Sequence, residues 1–401
     1  MNDYKDRGGC GVIANMSYSQ AIESQAVKIG VADGDLRARR EGEWARARRG
    51  FTLVEAGVLV AGVGLLAMLV GPSLGDLRTD ARLAGSRDNL RQLGEAHAAY
   101  SDANSRLIAG YDWVGSLGFP SPPAIYDIGG GVTVLASDNL EASELQLAAI
   151  LRKATGRIAD DNRIVVDRDH PPYRRYWHLP LIDFMGGSVT DPMVVSPLDT
   201  HQQDFQKLTQ VSEYPDLPGG STFSPSPWQS PQTVLKWAYA SSYHMTAYAY
   251  APSRPINNQL DLLPADDATQ FLIIDPQLFT RQFQFSVSFP SNKALLFEEF
   301  DYSQGLGNQG RYYADPLASV NILAFDGSAQ RIATADANPG WDPENYTDME
   351  RTVEQRYRSI DTRFFPDDSD RPEPYAGYYE WTRGGLEGID FGAGEINTSD
   401  W

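Results

Sequence analysis

The sequence predicts an α+β chain: a long N-terminal helix, apolar then amphipathic, packed on an antiparallel β-sheet with large loop insertions. Three observations lead there. Residues Phe51 to Val70 read FTLVEAGVLVAGVGLLAMLV, an apolar run with a single charge. From Asp76 to about Asn104, Leu83, Leu90, Leu93, His97 and Tyr100 recur at spacings that place them on one helical face. Beyond Trp237, several segments alternate apolar and polar residues with the period of a strand.

Composition narrows the function. The formal charge is -19, with 34 Lys and Arg against 53 Asp and Glu. A nucleic-acid surface needs clustered cations, so nucleic acid is not expected as a partner. Cations do cluster once, at Arg37, Arg39, Arg40, Arg46, Arg48 and Arg49, directly before the apolar run. The lone cysteine, Cys10, precedes that run, so neither a disulfide framework nor a cysteine metal site can follow it.

Twenty residues of helix rise about 30 Å, enough to cross a bilayer core. Glu55 is the charge inside the run. An acid there costs roughly 2.5–3.5 kcal/mol on the gentler scales, so Glu55 is expected to have a partner or a function. The arginines predict that the N-terminal side stays in the cytoplasm and the bulk is exported. Three readings compete for this segment. One is a plain signal anchor. Another is a twin-arginine export signal, on Arg48-Arg49-Gly50-Phe51-Thr52-Leu53; against it, the run is long, contains Glu55 and is followed by no small-x-small cleavage site.

The third reading fits more residues. Arg48-Arg49-Gly50, then Phe51-Thr52-Leu53-Val54-Glu55, then an apolar helix resembles the processing site of type IV prepilins and type II secretion pseudopilins. The resemblance implies cleavage after Gly50 by a prepilin peptidase, N-methylation of Phe51, and a filament-assembly role for Glu55. It also implies a helix kink at Pro72. Glu55 would meet the cationic N-terminus of a neighbouring Phe51 in a low-dielectric seam. The implied partners are the prepilin peptidase, other pilin or pseudopilin subunits and an inner-membrane assembly platform. A leader of residues 1–50 is longer than most in the family, and a start at Met16 or later is the alternative.

The expected organisation is a leader over 1–50, a transmembrane half-helix over 51–75 and an amphipathic half-helix over 76–106. A globular pilin-like α+β domain with an insertion follows over 107–335, then an acidic, aromatic C-terminal extension over 336–401. Within the domain, a Gly- and Pro-rich junction spans Gly110 to Pro123. Ser143 to Thr155 reads as a helix and Tyr176 to Met185 as another, and Asp216 to Pro231 reads as a loop. Trp237 to Met245 alternates as a strand whose phase slips at Tyr248, which suggests a bulge. Gln282 to Phe289 alternates strictly, with Phe283, Phe285, Val287 and Phe289 on the expected buried face. Lys293 to Phe297 and Ser319 to Phe325 are further strands. Asp326-Gly327 suits a type I′ turn into Ser328 to Thr334. The last segment carries too many aromatics for a free acidic tail; it is expected to fold back, with a helix from Tyr346 to Ile360.

A second resemblance follows from the order of these pieces. Ser86 to Asn104, Ser242-Tyr243, Leu295-Leu296-Phe297-Glu298-Glu299 and Asn321 to Gly327 resemble, in that order, a large family of bacterial prepilin-like proteins. That family ends with a His, nine residues and Asp-Gly; here Asp326-Gly327 stand in place, but Pro316 occupies the histidine position. A role that depends on that histidine is not implied here.

No enzyme is expected. Glu298 and Glu299 are adjacent on a strand and point to opposite faces, so they do not form a carboxylate pair. The pseudopilin resemblance raises Ca2+, for which Glu299, Asp301, Asp315 and Asp326 supply oxygens; their spacing matches no defined calcium loop, and solvated acids are the simpler reading. His97 reads as a packed helix residue, and the other histidines have no ligand spacing. The expected function is a structural filament subunit that uses no cofactor. It would sit as a single-pass protein in the inner membrane, with its domain periplasmic or, once in a filament, extracellular. The alternative is a monomeric, membrane-anchored periplasmic binding protein for a glycan or a cation.

Overall fold

The structure is a computed structural model that describes residues 52–111, 125–127, 133–136, 139–157, 173–207, 236–250, 262–264, 271–273, 281–303, 310–340, 354–357, 373–380, 382 and 384–395. The chain divides into two units, residues 1–72 and 73–401. The described elements are, in order, helix α1 (Leu53–Ala103), strands β1 (Ile125–Asp127) and β2 (Thr133–Leu135), and helices α2 (Asn139–Thr155), α3 (Tyr173–Tyr176) and α4 (Thr200–Lys207). Strands β3 (Tyr243–Met245), β4 (Leu262–Pro264), β5 (Phe271–Ile273), β6 (Ala294–Glu298), β7 (Phe300–Asp301) and β8 (Arg311–Tyr312) follow. Last come β9 (Ser319–Ala324), β10 (Ala329–Ala333), β11 (Glu354–Tyr357) and β12 (Glu373–Ala376).

The architecture is α+β, with α1 packed against a four-stranded antiparallel sheet of order β10-β9-β6-β3. The stripe read from the sequence is the contact face: Leu90, Leu93, His97 and Tyr100 are buried and Leu83 is half-buried, while Ser86 and Ala96 are buried alongside them. Each fully buried leucine is worth about 1.5–3 kcal/mol. Gly94 lets the helix come close, because a Cβ there would lie 3.1 Å from the Leu323 side chain on β9. The helix ends where Ser105 and Arg106 take positive φ and the Arg106 N–H returns to the Ser101 carbonyl at 2.8 Å.

The central strands β6 and β9 are buried on both faces, which explains why they read as nearly continuous apolar runs, while the edge strand β10 is half-buried. Leu296 and Leu323 belong to the core beneath α1. Phe297, Val320, Ile322 and Ala324 belong to a second core that the C-terminal segment closes with Tyr379 and Phe391. The expectation that the acidic end folds back is met in these residues. A register shift between Ala294 and Leu296 lets the alternation of β6 suit both cores.

Several local expectations need correction. Gln282 to Phe289 is not a strand: Phe283 bridges to Leu107, and Gln284–Ser286 then turn as a 3-10 helix. The partner segment, residues 106–108, is too short to extend a ladder, so Phe285 is 74% exposed and stacks on Phe283 at 4.7 Å. Residues Lys236–Tyr239 form a 3-10 turn and only β3 joins the sheet. The phase change at Tyr248 is another 3-10 turn, Ala247–Ala249, rather than a bulge. The predicted helix Tyr176 to Met185 is a 3-10 helix over Leu179–Phe184 with a proline at its start. The helix predicted from Ser143 begins earlier, at Asn139. Within Tyr346 to Ile360 the described residues are β11, paired with β12, and not a helix; the rest of that span and the loop over 216–231 lie outside the described residues.

Asp326-Gly327 does connect β9 to β10, though not as a type I′ turn. Only Gly327 has positive φ, at 86°, whereas type I′ demands it at both central residues. The Gly327 N–H bonds the Ala324 carbonyl at 3.0 Å and the Ala324 N–H bonds the Ser328 carbonyl at 2.8 Å. That is a three-residue loop with glycine in its left-handed position. Asp326 Oδ1 accepts from the Ser328 N–H at 2.8 Å and fixes the turn.

Candidate assembly surface

Helix α1 starts with a capping box. The Thr52 N–H donates to Glu55 Oε2 at 2.9 Å, and the Glu55 N–H donates to Thr52 Oγ1 at 3.3 Å. Each residue satisfies an amide that the first helical turn leaves without a partner. Glu55 is therefore held by its own helix end in the single chain. Sequence reading assigned it an intermolecular partner and missed this local one, although Thr-x-x-Glu is a legible signal.

Beyond the cap, Leu53, Val54, Val58, Leu59, Val60, Val63 and Leu65 are each more than half exposed. A Cβ added at Gly57, Gly62 or Gly64 would meet nothing within 4 Å. An apolar surface all around a helix is unusual for a chain alone in water. Among the described residues, no helix is long and apolar enough to cross a membrane. The run read from the sequence, 51–70, extends over Phe51 and over the side chains of 66–70, which lie outside the described residues. Residues 1–50, expected as a leader that ends at Gly50, lie outside them as well. Pro72 has helical backbone within α1, and its side chain is outside the described residues.

The second half of α1 is tied to the sheet by buried polar groups. Ser86 Oγ donates to Glu298 Oε1 at 2.5 Å and lies 3.0 Å from Tyr243 Oη. Ser196 Oγ also donates to that oxygen, at 3.1 Å, while Glu298 Oε2 accepts from the Asn321 N–H at 2.9 Å. Burial still pushes the Glu298 carboxyl above its ordinary range. Glu299 points the other way, to Arg175 Nη2 at 2.7 Å and His244 Nε2 at 3.3 Å. Ser242 Oγ donates to Asp199 Oδ2 at 2.8 Å. The Ser-Tyr and Glu-Glu words of the second resemblance thus hold loops and helix to the sheet. Their separation on opposite faces is as expected.

The four acids considered for calcium are not brought together. Glu299 faces Arg175 and His244; Asp301 accepts from the Ser303 N–H, the Ser319 N–H and Arg331. Asp315 pairs with Arg311 at 2.7 Å, and Asp326 serves its own turn. Among the described residues, no group of three or more His, Cys, Asp or Glu is placed to hold a metal ion.

His97 is a packed residue, as expected: it is 2% exposed, and its Nε2 accepts the Ala109 N–H at 3.2 Å. Burial lowers its pKa to about 4, from an ordinary 6.5. The folded chain therefore refuses a proton that the unfolded chain accepts below pH 6.5. Stability contributed by neutral His97 is expected to fall as pH drops from about 6.5 to about 4, by about 3 kcal/mol in total. Denaturant unfolding across that range, compared between wild type and His97→Gln, isolates this share from that of His178, which burial lowers to about 3. Equal pH slopes in the two proteins would exclude the assignment.

Sequence reading missed Arg175, Ser86 and Ser196 as partners, because Arg175 is 124 residues from Glu299 and no local pattern marks the pair. Compared with protein-family models, with curated proteins and with solved structures, the chain matches none.

Proposed function

We propose that the chain is a structural subunit, pilin or pseudopilin, of a type IV pilus or type II secretion-like filament. In this reading a prepilin peptidase removes residues 1–50 and methylates Phe51. The mature helix waits in the inner membrane, and an assembly platform then stacks it against the helices of like subunits. The observation that carries the reading is the uncovered apolar surface from Leu53 to Leu65, on a helix whose later residues are buried on a sheet. Such a surface requires lipid or other apolar helices, and a filament subunit meets both in turn. Glu55 at the start of that surface fits it, since its bonds to Thr52 leave the charge uncompensated and a neighbouring cationic N-terminus would compensate it.

Mass spectrometry of the native N-terminus tests the proposal. The expected peptide begins at Phe51 and carries one methyl group on its amine. A mature chain that begins elsewhere, or retains Gly50, would refute processing of this kind.

A further inference from the structure

We propose that Lys293 and Asp390 condense to an intramolecular amide, which joins the start of β6 covalently to the C-terminal segment. Lys293 Nζ lies 3.1 and 3.0 Å from the two Asp390 carboxylate oxygens. Thr382 sits between them: Lys293 Nζ donates to Thr382 Oγ1, which in turn donates to Asp390 Oδ1 at 2.5 Å. Asp390 Oδ2 is held by the backbone N–H of Ala294 at 2.8 Å. Nucleophile, proton relay and oxyanion donor therefore surround one carboxyl carbon.

The site is dry. Lys293 is 0% exposed, and Asp390 and Thr382 are each 1% exposed. Burial lowers the lysine and raises the aspartate, so both move toward the neutral forms that amide formation needs. The same side chains in water would be an ammonium and a carboxylate, which do not react. Holding reactive groups in contact also removes most of the entropic cost of a bimolecular step.

The step balances without an oxidant or cofactor. Nζ bonds to Cγ of Asp390, and the Cγ–Oδ1 bond breaks. Oδ1 leaves as water, taking the carboxyl proton and one proton passed from Nζ through Thr382 Oγ1. Oδ2 becomes the amide oxygen and keeps its bond from Ala294, which steadies the charge it carries in the tetrahedral stage. The product closes a loop across 97 residues and ties the second core shut. It does not depend on the filament reading.

Tryptic digestion of the full chain, followed by tandem mass spectrometry, provides the test. The amide abolishes cleavage after Lys293 and yields a branched peptide, Gln282 to Arg311 joined to the peptide beginning at Gly384, lighter by one water. Lys293→Met should abolish the branch and release the Gly384 peptide in linear form at full mass. Normal cleavage after Lys293 in the wild-type chain, with both peptides linear at full mass, would overturn the proposal and leave a buried ion pair beside the Tyr248 ring. A linear Gly384 peptide lacking water would also overturn it, since Asp390 would then have closed on its own backbone. The wild-type digest decides the matter even if the variant does not fold.

Discussion

Glu55→Ala is expected to abolish filament assembly while the chain remains anchored. Removing one member of a buried charge pair typically costs about 3–5 kcal/mol, on the order of a hundredfold to a few thousandfold in association. Alanine also removes the capping box, so the substitution alone does not separate the two roles. Glu55→Gln does, because glutamine can still cap Thr52 but carries no charge. If the acid meets an N-terminal amine of a neighbouring subunit, Gln should fail as Ala does. Filaments sheared from cells, quantified against the membrane-bound pool, give the readout. Wild-type filament yield from Gln would leave Glu55 a helix cap only. Retained anchoring and ligand capture in a chain that never polymerises would favour the monomeric binding protein.

Arg175→Met carries the next largest expected effect. The Arg175 and Glu299 side chains are 6% and 1% exposed, and the pair closes at 2.7 Å. Methionine fills much of the same volume but strands a carboxylate in the core, at about 3–5 kcal/mol. The urea midpoint of the full chain in detergent should fall accordingly. Adding Glu299→Leu should recover most of the loss, because replacing both charges removes the stranded group. An unchanged midpoint in the single variant would mean that His244 relieves Glu299 in place of Arg175. A double variant no better than the single would place the cost in lost packing.

Patterns of short range were legible from residues alone. The amphipathic stripe on α1 and the two strands flanking Asp326-Gly327 depend on spacings within a dozen residues, and the helix and strand periods reveal them. The run around Phe283 shows where that reading fails. Alternation marks a segment able to be a strand, but a ladder also needs a partner of matching length, and residues 106–108 provide one for a single bridge only. The turn type at Asp326-Gly327 was misjudged for a related reason. The dipeptide permits two loop lengths, and the register of β9 against β10 selects the longer.

Sequence by itself determined the long helix, its change from apolar to amphipathic, the acid near its start and the antiparallel character of the sheet. Tertiary structure alone decided that both faces of the central strands are covered, that Glu298 and Glu299 serve different helices and loops, and that Lys293 lies against Asp390. The reason is physical: helix and strand periods are local properties of the backbone, whereas a buried charge is tolerable only beside a partner that folding brings from far along the chain.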